Sequence, residues 1–109
     1  DHIGVICIEM FLTKSNKLLV NEIAPRVHNS GHWTLDGAIT DQFEQHIRSI
    51  CDLPLGKPNK HSSVLMKNIL GEEILNIQEE LSDPTAKIYI YGKKKVKKNR
   101  KMGHVNYIK

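Results

Sequence analysis

Apolar residues fall into short runs at the start of the chain. Residues 3–12 and 18–23 are rich in β-branched and other apolar side chains and are short, so each run is predicted to form a strand. The polar residues 13–17 that separate them are typical of a tight turn. The pattern therefore predicts a β-hairpin.

A different periodicity follows Trp33. Apolar residues then recur at spacings of four, four, four and three, which is one stripe of an amphipathic helix. The candidate caps are Thr34, Asp36 and Thr40, and the helix is expected to end before Pro54. The stripe consists of Leu35, Ile39, Phe43, Ile47 and Ile50.

The second half of the chain begins with a segment rich in proline and glycine, residues 52–62, which predicts a loop and a domain boundary. The order of elements is that of an α+β fold without internal repeats, divided into residues 1–53 and 54–109. After the loop we expect a strand at 63–70, a short helix at 72–81 with Ile74, Ile77 and Leu81 facing inward, and strands at 86–91 and 103–108.

Composition is ordinary for a globular protein of 109 residues, with 39% apolar and 26% charged residues. No apolar run approaches the ~20 residues of a membrane span, and no signal sequence precedes the first strand, so a cytoplasmic protein is expected. Cys7 and Cys51 are far apart and form no CxxC pair, which predicts reduced, buried thiols.

Positive charge is concentrated in residues 93–101. This segment holds seven lysines and arginines, and without them the net charge of +4 becomes −3. Three interpretations stay open: a solvated hairpin or loop, a site for a phosphate monoester, and a nucleic-acid-binding segment. The third is the weakest, because no aromatic side chains that could stack on bases are interleaved with the charges.

Two glutamates are predicted to meet across the hairpin. If residues 14–17 form its loop, Thr13 pairs with Leu18, and Glu9 lies opposite Glu22 with Cβ atoms roughly 5 Å apart. Two like charges at this distance are destabilising unless a cation or a proton lies between them. Magnesium bound also to phosphate oxygens would suit this pair. The alternative is a pair of solvated glutamates in another register.

The polar turn after Pro25 concentrates a cation, imidazoles, amides and a hydroxyl. Loops at strand ends commonly carry ligand-binding groups, so this turn is a candidate site. His28 and His32 are four residues apart, a spacing that would suit zinc on a helix. Because Pro25 and Gly31 disfavour a helix here, hydrogen-bonding or phosphate-binding roles are favoured over zinc.

Several motifs together closely resemble one enzyme family over nearly the whole chain. They are Glu9, Asn21-Glu22, the string APRVHNSGHWT at 24–34, QFE at 42–44, LPLG at 53–56 and RKMGH at 100–104. The family is that of the 5-(carboxyamino)imidazole ribonucleotide synthases, ATP-grasp ligases of purine biosynthesis, and the chain resembles their C-terminal third. The resemblance implies that residues 1–53 are the C-terminal part of an ATP-grasp domain and that residues 54–109 form a small β-rich, single-hybrid-like domain.

The resemblance also implies an activity and its residues. The family joins ATP, bicarbonate and 5-aminoimidazole ribonucleotide, with ATP and magnesium as cofactors. The implied roles are magnesium binding by Glu9 and Glu22, nucleotide binding by Asn21 and Glu22, catalysis by Arg26 and His28, and substrate binding by Asn29, Ser30, Lys93 and Arg100.

The resemblance further implies that the missing N-terminal portion of the same protein is a partner, that these 109 residues alone are inactive, and that the whole enzyme is a homodimer without a membrane role. Two other functions stay open. One is a nucleic-acid-binding module that uses residues 93–101, whose affinity would fall steeply with salt. The other is a scaffold role, which would leave the paired glutamates without a purpose.

Overall fold

A computed structural model describes all residues, 1–109, as an α+β fold. No helix in it has the length and apolar character that a membrane span needs. The strands are β1 Cys7–Leu12, β2 Leu18–Ala24, β3 Val64–Leu70, β4 Ala86–Ile90 and β5 Lys101–Ile108. The α-helices are α1 Thr34–Gly37, α2 Gln42–Ile50 and α3 Gln78–Ser82, and two 3-10 turns span Asn29–Gly31 and Gly71–Leu75.

The predicted hairpin is confirmed, because β1 and β2 pair antiparallel with Glu9 opposite Glu22. The predicted pairing beside the turn is wrong, since Leu18 lies opposite Leu12 and not opposite Thr13. The register shifts by one residue between Glu9 and Met10, and Asn21 is left without a partner. Such a bulge inserts one extra residue in one strand.

The bulge sorts the side chains of the hairpin onto two different faces. Opposed residues of a hairpin share a face, and faces alternate along each strand. Without the bulge, Asn21 would lie opposite Met10 among apolar residues; with it, the Asn21 side chain reaches Glu9. The face opposite that of Glu9 and Glu22 is entirely apolar. It consists of Ile8, Met10, Leu12, Leu18, Val20 and Ile23, all exposed.

The single helix predicted after Trp33 is wrong, because the chain breaks between α1 and α2. At the break, Ala38 bridges Lys60, and the backbone N–H of Thr40 donates to the Lys57 carbonyl at 3.1 Å. The cap of α2 is Asp41, a residue that was not among the expected caps. Its carboxylate accepts hydrogen bonds from two backbone N–H groups of the first turn, at 2.7 and 3.0 Å.

Residues 52–62 contain no helix or strand, as predicted, but they are held against the preceding helix. The side chain of Gln45 donates to the Gly56 carbonyl at 2.8 Å and accepts from the Gly56 N–H at 2.9 Å. The division into domains at this segment stays a prediction. The expectation of buried thiols is wrong, because Cys51 is exposed after the end of α2 and Cys7 is only partly buried.

The second half is built on a three-stranded antiparallel sheet in the order β3-β5-β4. The helix predicted at 72–81 is wrong as one element, because it divides into a 3-10 turn and α3. Ile74 and Ile77 pack on the core as expected, whereas Leu81 is 60% exposed and the inward assignment of its side chain is wrong. The core contains Ile69, Met102 and Val105, with Ile74, Ile77, Ala86, Ile88 and Tyr107 packed around them.

A row of polar residues crosses this sheet. His104 of β5 lies between Asn68 of β3 and Tyr89 of β4 in the register. This row faces residues 29–36 of the first half: Asn29 donates to Asn68 at 2.8 Å, and the Tyr89 hydroxyl donates to Asp36 at 3.0 Å. The polar turn after Pro25 is therefore seated on the sheet.

Gly103 is required by the close approach of β4 to β5. A Cβ atom at this position would lie 2.3 Å from the Tyr89 carbonyl oxygen, which is backbone and cannot move independently. We expect Gly103→Ala to lower the free energy of unfolding by about 3 kcal/mol, through overpacking in the central strand. Urea denaturation measures the loss.

The matched control for Gly103→Ala is Gly92→Ala. Gly92 has a φ of +64° and no atom within 4 Å of an added Cβ. Its replacement is expected to cost only about 1 kcal/mol, from the left-handed backbone. Equal losses for the two variants would show that strand contact at Gly103 is not the constraint.

Candidate functional site

An open cleft of about 330 Å³ lies where the polar turn meets the loop between β4 and β5. It is lined by groups of both charges, an arrangement suited to an anionic ligand bound together with a cation. The lining residues are Glu22, Arg26, Val27, His28, Asn29, His32, Tyr91, Lys93 and Lys101.

An acidic cluster lies at one side of the cleft, where Glu22 and His28 line it. A carboxylate oxygen of Glu9, one of Glu22 and a ring nitrogen of His28 lie within 4.8 Å of one another. His28 Nε2 is 2.8 Å from Glu22 Oε1 and 3.8 Å from Glu9 Oε2. The Asn21 amide donates to Glu9 Oε1 from the bulge. The hairpin thus collects two carboxylates and an amide beside one buried imidazole.

The tautomer of His28 follows from its neighbours. The backbone N–H of Ser30 can only donate, and it points at His28 Nδ1 at 3.2 Å. Nδ1 is therefore an acceptor, and in the neutral ring the proton is on Nε2, where it is donated to Glu22. The imidazole orients this carboxylate and does not offer Nε2 as a free metal ligand.

Gln42 holds the main chain of His28 from the first turn of α2. Its side chain accepts from the His28 N–H at 2.9 Å and donates to the His28 carbonyl at 2.9 Å. The same amide lies 2.7 Å from His32 Nδ1. Because Gln42 and His28 are both buried, this bidentate contact fixes the turn without help from solvent.

Two imidazoles are kept neutral, His32 on the lining of the cleft and His104 outside that lining. Burial, followed by the nearby charge of Lys101 and by His28, lowers the pKa of His32. Burial likewise lowers the pKa of His104 to about 4, with a further contribution from His32. Both rings are thus uncharged at neutral pH, and the cations of the cleft are the arginine and lysines.

The zinc interpretation of His28 and His32 is not supported by their geometry. His28 Nε2 faces Glu22, whereas His32 Nδ1 faces Gln42 and its ring stacks on His104 with centroids 4.7 Å apart. The two rings therefore have different partners. A 3-10 turn, not an α-helix, connects them, as the glycine and proline content predicted.

The acidic cluster fits a hard divalent cation. The carboxylates of Glu9 and Glu22 are oxygen donors on one face of a rigid ribbon, and half of the Glu22 side chain is accessible. Magnesium prefers one or two carboxylates and completes its shell with water and phosphate oxygens. The chemistry of these donors therefore suits magnesium better than zinc.

The four residues expected to bind substrate are placed differently from one another. Asn29 and Lys93 line the cleft. Ser30 lies behind it, with its hydroxyl 2.8 Å from His28 Nδ1. Arg100 does not line the cleft, because its guanidinium donates to the Lys95 carbonyl within the basic loop at 3.0 Å. Their assignment as substrate ligands stays a prediction.

The remaining predicted residues lie at the same end of the molecule. Arg26 lines the cleft, exposed, with one guanidinium nitrogen donating to the Val27 carbonyl at 2.9 Å. Asn21 is occupied with Glu9. The basic segment is a loop between two strands, and Asn99 within it has a left-handed backbone with φ of 61°.

Three residues of the cleft and its support were given no role of their own by the sequence reasoning, although Gln42 and Lys101 lie in the motifs QFE and RKMGH: Gln42, Tyr91 and Lys101. Lys101 could have been noticed as the first residue of a strand that ends a basic run. Gln42 and Tyr91 carry no such signal, because their roles depend on contacts with residues distant in the chain.

Two family models match this chain. Residues 1–43 match the ATP-grasp domain, and residues 64–109 match the phosphoribosylaminoimidazole carboxylase C-terminal domain. Among curated relatives, the N5-carboxyaminoimidazole ribonucleotide synthase of Bacillus subtilis is 53% identical over 98% of this chain, and the match spans 28% of that protein. The phosphoribosylaminoimidazole carboxylase of Saccharomyces cerevisiae is 42% identical, with 96% of this chain and 20% of that protein matched.

Solved structures agree with the sequence matches. The ADP complex of an N5-carboxyaminoimidazole ribonucleotide synthetase is 47% identical with a TM-score of 0.88, over 97% of this chain and 28% of that one. The Aspergillus clavatus synthase in complex with ADP and 5-aminoimidazole ribonucleotide is 37% identical, also with a TM-score of 0.88, over 97% of this chain and 30% of that one. The chain thus spans less than a third of the length of these proteins.

Proposed function

Because the chain belongs to the N5-carboxyaminoimidazole ribonucleotide synthase family, matching the C-terminal part of its members, we propose that it supplies the metal-binding and phosphate-binding end of an ATP-dependent ligase. The complete enzyme would carboxylate 5-aminoimidazole ribonucleotide with bicarbonate. ATP would be its energy source.

The observation that carries this proposal is the acidic cluster on the wall of a cationic cleft. Glu9 and Glu22 would hold magnesium, and the cations opposite them would bind anionic reactants. When bound, magnesium would neutralise charge on the phosphates of ATP. Asn21, bonded to Glu9, would keep that carboxylate aimed at the nucleotide.

Arg26 and His28 would act at the reacting phosphate. Arg26 is exposed in the cleft, so its guanidinium is free to offset negative charge that accumulates on a transferring phosphoryl group. His28 holds a proton at Nε2 and donates it in a hydrogen bond to Glu22, which orients the carboxylate. The burial of His28 gives this orientation little freedom.

Lys93, Lys101 and Asn29 would receive the ribonucleotide substrate. Lys93 donates one hydrogen bond to the Lys101 carbonyl at 2.6 Å, which leaves two of its three ammonium donors for a phosphate. We retain Arg100 and Ser30 as proposed substrate-binding residues. Arg100 would have to leave the Lys95 carbonyl to reach the phosphate.

A charge-matched pair of variants tests the substrate site in the complete enzyme. Lys93→Ala is expected to raise KM for 5-aminoimidazole ribonucleotide about tenfold or more, because a charge-assisted contact to phosphate is lost. KM for ATP should stay at the parental value. Steady-state kinetics with each substrate varied in turn gives both constants.

Lys98→Ala is the control, since it removes the same charge from the same loop but at an exposed position outside the cleft. Equal effects of the two variants on KM would contradict a specific role for Lys93. A parent enzyme that does not carboxylate 5-aminoimidazole ribonucleotide would reject the proposed function itself.

The nucleic-acid alternative is not favoured, because two cations of the basic segment, Lys93 and Lys101, line the cleft beside the acidic cluster. Our proposal also includes a cytoplasmic enzyme that works as a homodimer and contains the further N-terminal portion expected for this family.

A further inference from the structure

The Lys93 side chain lies over the ring of Tyr91, and the hydroxyl of Tyr91 is hydrogen-bonded to His104 of the sheet. The Lys93 ammonium lies 5.5 Å from the centroid of the Tyr91 ring, within the range of a cation–π contact. The Tyr91 hydroxyl is 2.8 Å from Nδ1 of His104, in the polar row of the sheet. Lys93 and Tyr91 both line the cleft, whereas His104 does not.

His104 is immobilised on both faces. Its ring stacks on Tyr89 with centroids 4.6 Å apart and an interplanar angle of 11°, and on His32 at 4.7 Å and 29°. The residue is only 2% exposed. Because the ring is held in this way, its Nδ1 points in one direction only, toward the Tyr91 hydroxyl.

The second ring nitrogen of His104 points to a role beyond packing. Nε2 is buried and has no hydrogen-bond partner. A buried polar atom without a partner destabilises the fold, so an apolar aromatic residue would serve a packing role better. What histidine adds here is the hydrogen bond between Nδ1 and the Tyr91 hydroxyl.

We propose that Tyr91 and His104 are positioning residues for the phosphate-binding lysine of the cleft: His104 sets the angle of the Tyr91 ring, and this ring holds the Lys93 ammonium toward the substrate. This inference rests on the proposed function, because it assigns Lys93 to the substrate phosphate. The ring supplies the cation–π surface, and the hydroxyl supplies the orientation.

The two contributions can be separated by substitution in the complete enzyme, with binding of ribose 5-phosphate by isothermal titration calorimetry as the measurement. Tyr91→Phe keeps the ring and removes the hydroxyl, so we expect about fivefold weaker binding. Tyr91→Leu also removes the ring, so we expect a loss of about tenfold or more. ATP affinity should not change in either variant. Tyr107→Phe, a tyrosine outside the cleft, is the control and should bind as the parent does.

A double variant tests whether the two residues act together. If the hydroxyl acts through His104, then His104→Phe should weaken ribose 5-phosphate binding as much as Tyr91→Phe, and the two changes together should be no worse than either alone. The melting temperature of His104→Phe checks that the variant is folded at the temperature of the binding measurement. Additive losses, unchanged binding in Tyr91→Leu, or an equal loss of ATP affinity would overturn the inference.

The same measurements separate this inference from the proposed function. If the parent enzyme binds ribose 5-phosphate but does not carboxylate 5-aminoimidazole ribonucleotide, the proposed function is rejected. The binding of ribose 5-phosphate by Tyr91→Phe and Tyr91→Leu then still tests the inference. A parent that carboxylates normally, with Tyr91→Leu unchanged in KM for that substrate, would reject the inference alone.

Discussion

Replacing Glu22 by Gln in the complete enzyme is expected to lower kcat/KM for ATP about a hundredfold or more, which corresponds to roughly 3 kcal/mol of transition-state stabilisation. Two effects combine in this variant. The proposed magnesium site loses one of its two carboxylates, and His28 Nε2 loses its charged acceptor at 2.8 Å. Steady-state kinetics at several magnesium concentrations measures the loss, and the concentration for half-maximal activity should rise.

The control for Glu22→Gln is Glu44→Gln in α2. Glu44 pairs only with Arg48 on the surface, at 2.7 Å, and is outside the cleft. Surface pairs of this kind contribute about 0–1 kcal/mol to stability, so activity should stay at the parental level. A Glu22→Gln enzyme with parental turnover and unchanged magnesium dependence would disprove the metal assignment.

Replacing Gln42 by Leu is expected to cost about 3 kcal/mol of stability and most of the activity. Leucine leaves the His28 N–H without a partner in a buried place, and an unpaired buried group of this kind costs about 1–3 kcal/mol. The His28 carbonyl loses one of its two donors and keeps the Gly31 N–H at 2.9 Å. The turn that carries His28 would then lose its anchor on α2. Urea denaturation gives the stability, and kcat for the complete reaction gives the functional loss.

Gln45→Leu separates the two effects of Gln42→Leu. Gln45 makes the same kind of bidentate contact, to the backbone of Gly56, three residues further along the chain and away from the cleft. Its loss should lower stability while the enzyme that remains folded keeps its kcat. If Gln42→Leu also kept its kcat at temperatures where it is folded, positioning of His28 by Gln42 would be refuted.

Local sequence patterns were sufficient to predict the strands. Alternating and apolar runs identified both strands of the hairpin and all three strands of the sheet, since strand formation here follows from residue type and turn placement. They were not sufficient for the helices. The stripe from Leu35 to Ile50 is periodic throughout, but the backbone groups of residues 38–40 pair with residues 57–60, a tertiary contact that no periodicity reports.

The candidate site likewise has features that the sequence could predict and features that it could not. The meeting of Glu9 and Glu22 could be derived from the loop length, although the derivation assumed a continuous register and the structure reaches the same pairing through a bulge. The cationic lining was partly foreseen in Lys93. The supports of the site, Gln42 and the His104–Tyr91 pair, could not be derived, because they depend on side-chain contacts between residues ten or more positions apart in the chain.

The unpaired Asn21 limits how a gene for such a protein can change. Deleting Asn21 would make the pairing continuous and would keep Glu22 opposite Glu9, but it would remove the amide that donates to the Glu9 carboxylate. The extra residue is thus needed to orient Glu9 and is not needed to pair the two glutamates. Residues 14–16 lie in the turn, outside the paired strands, so insertions there would leave the pairing of Glu9 with Glu22 intact.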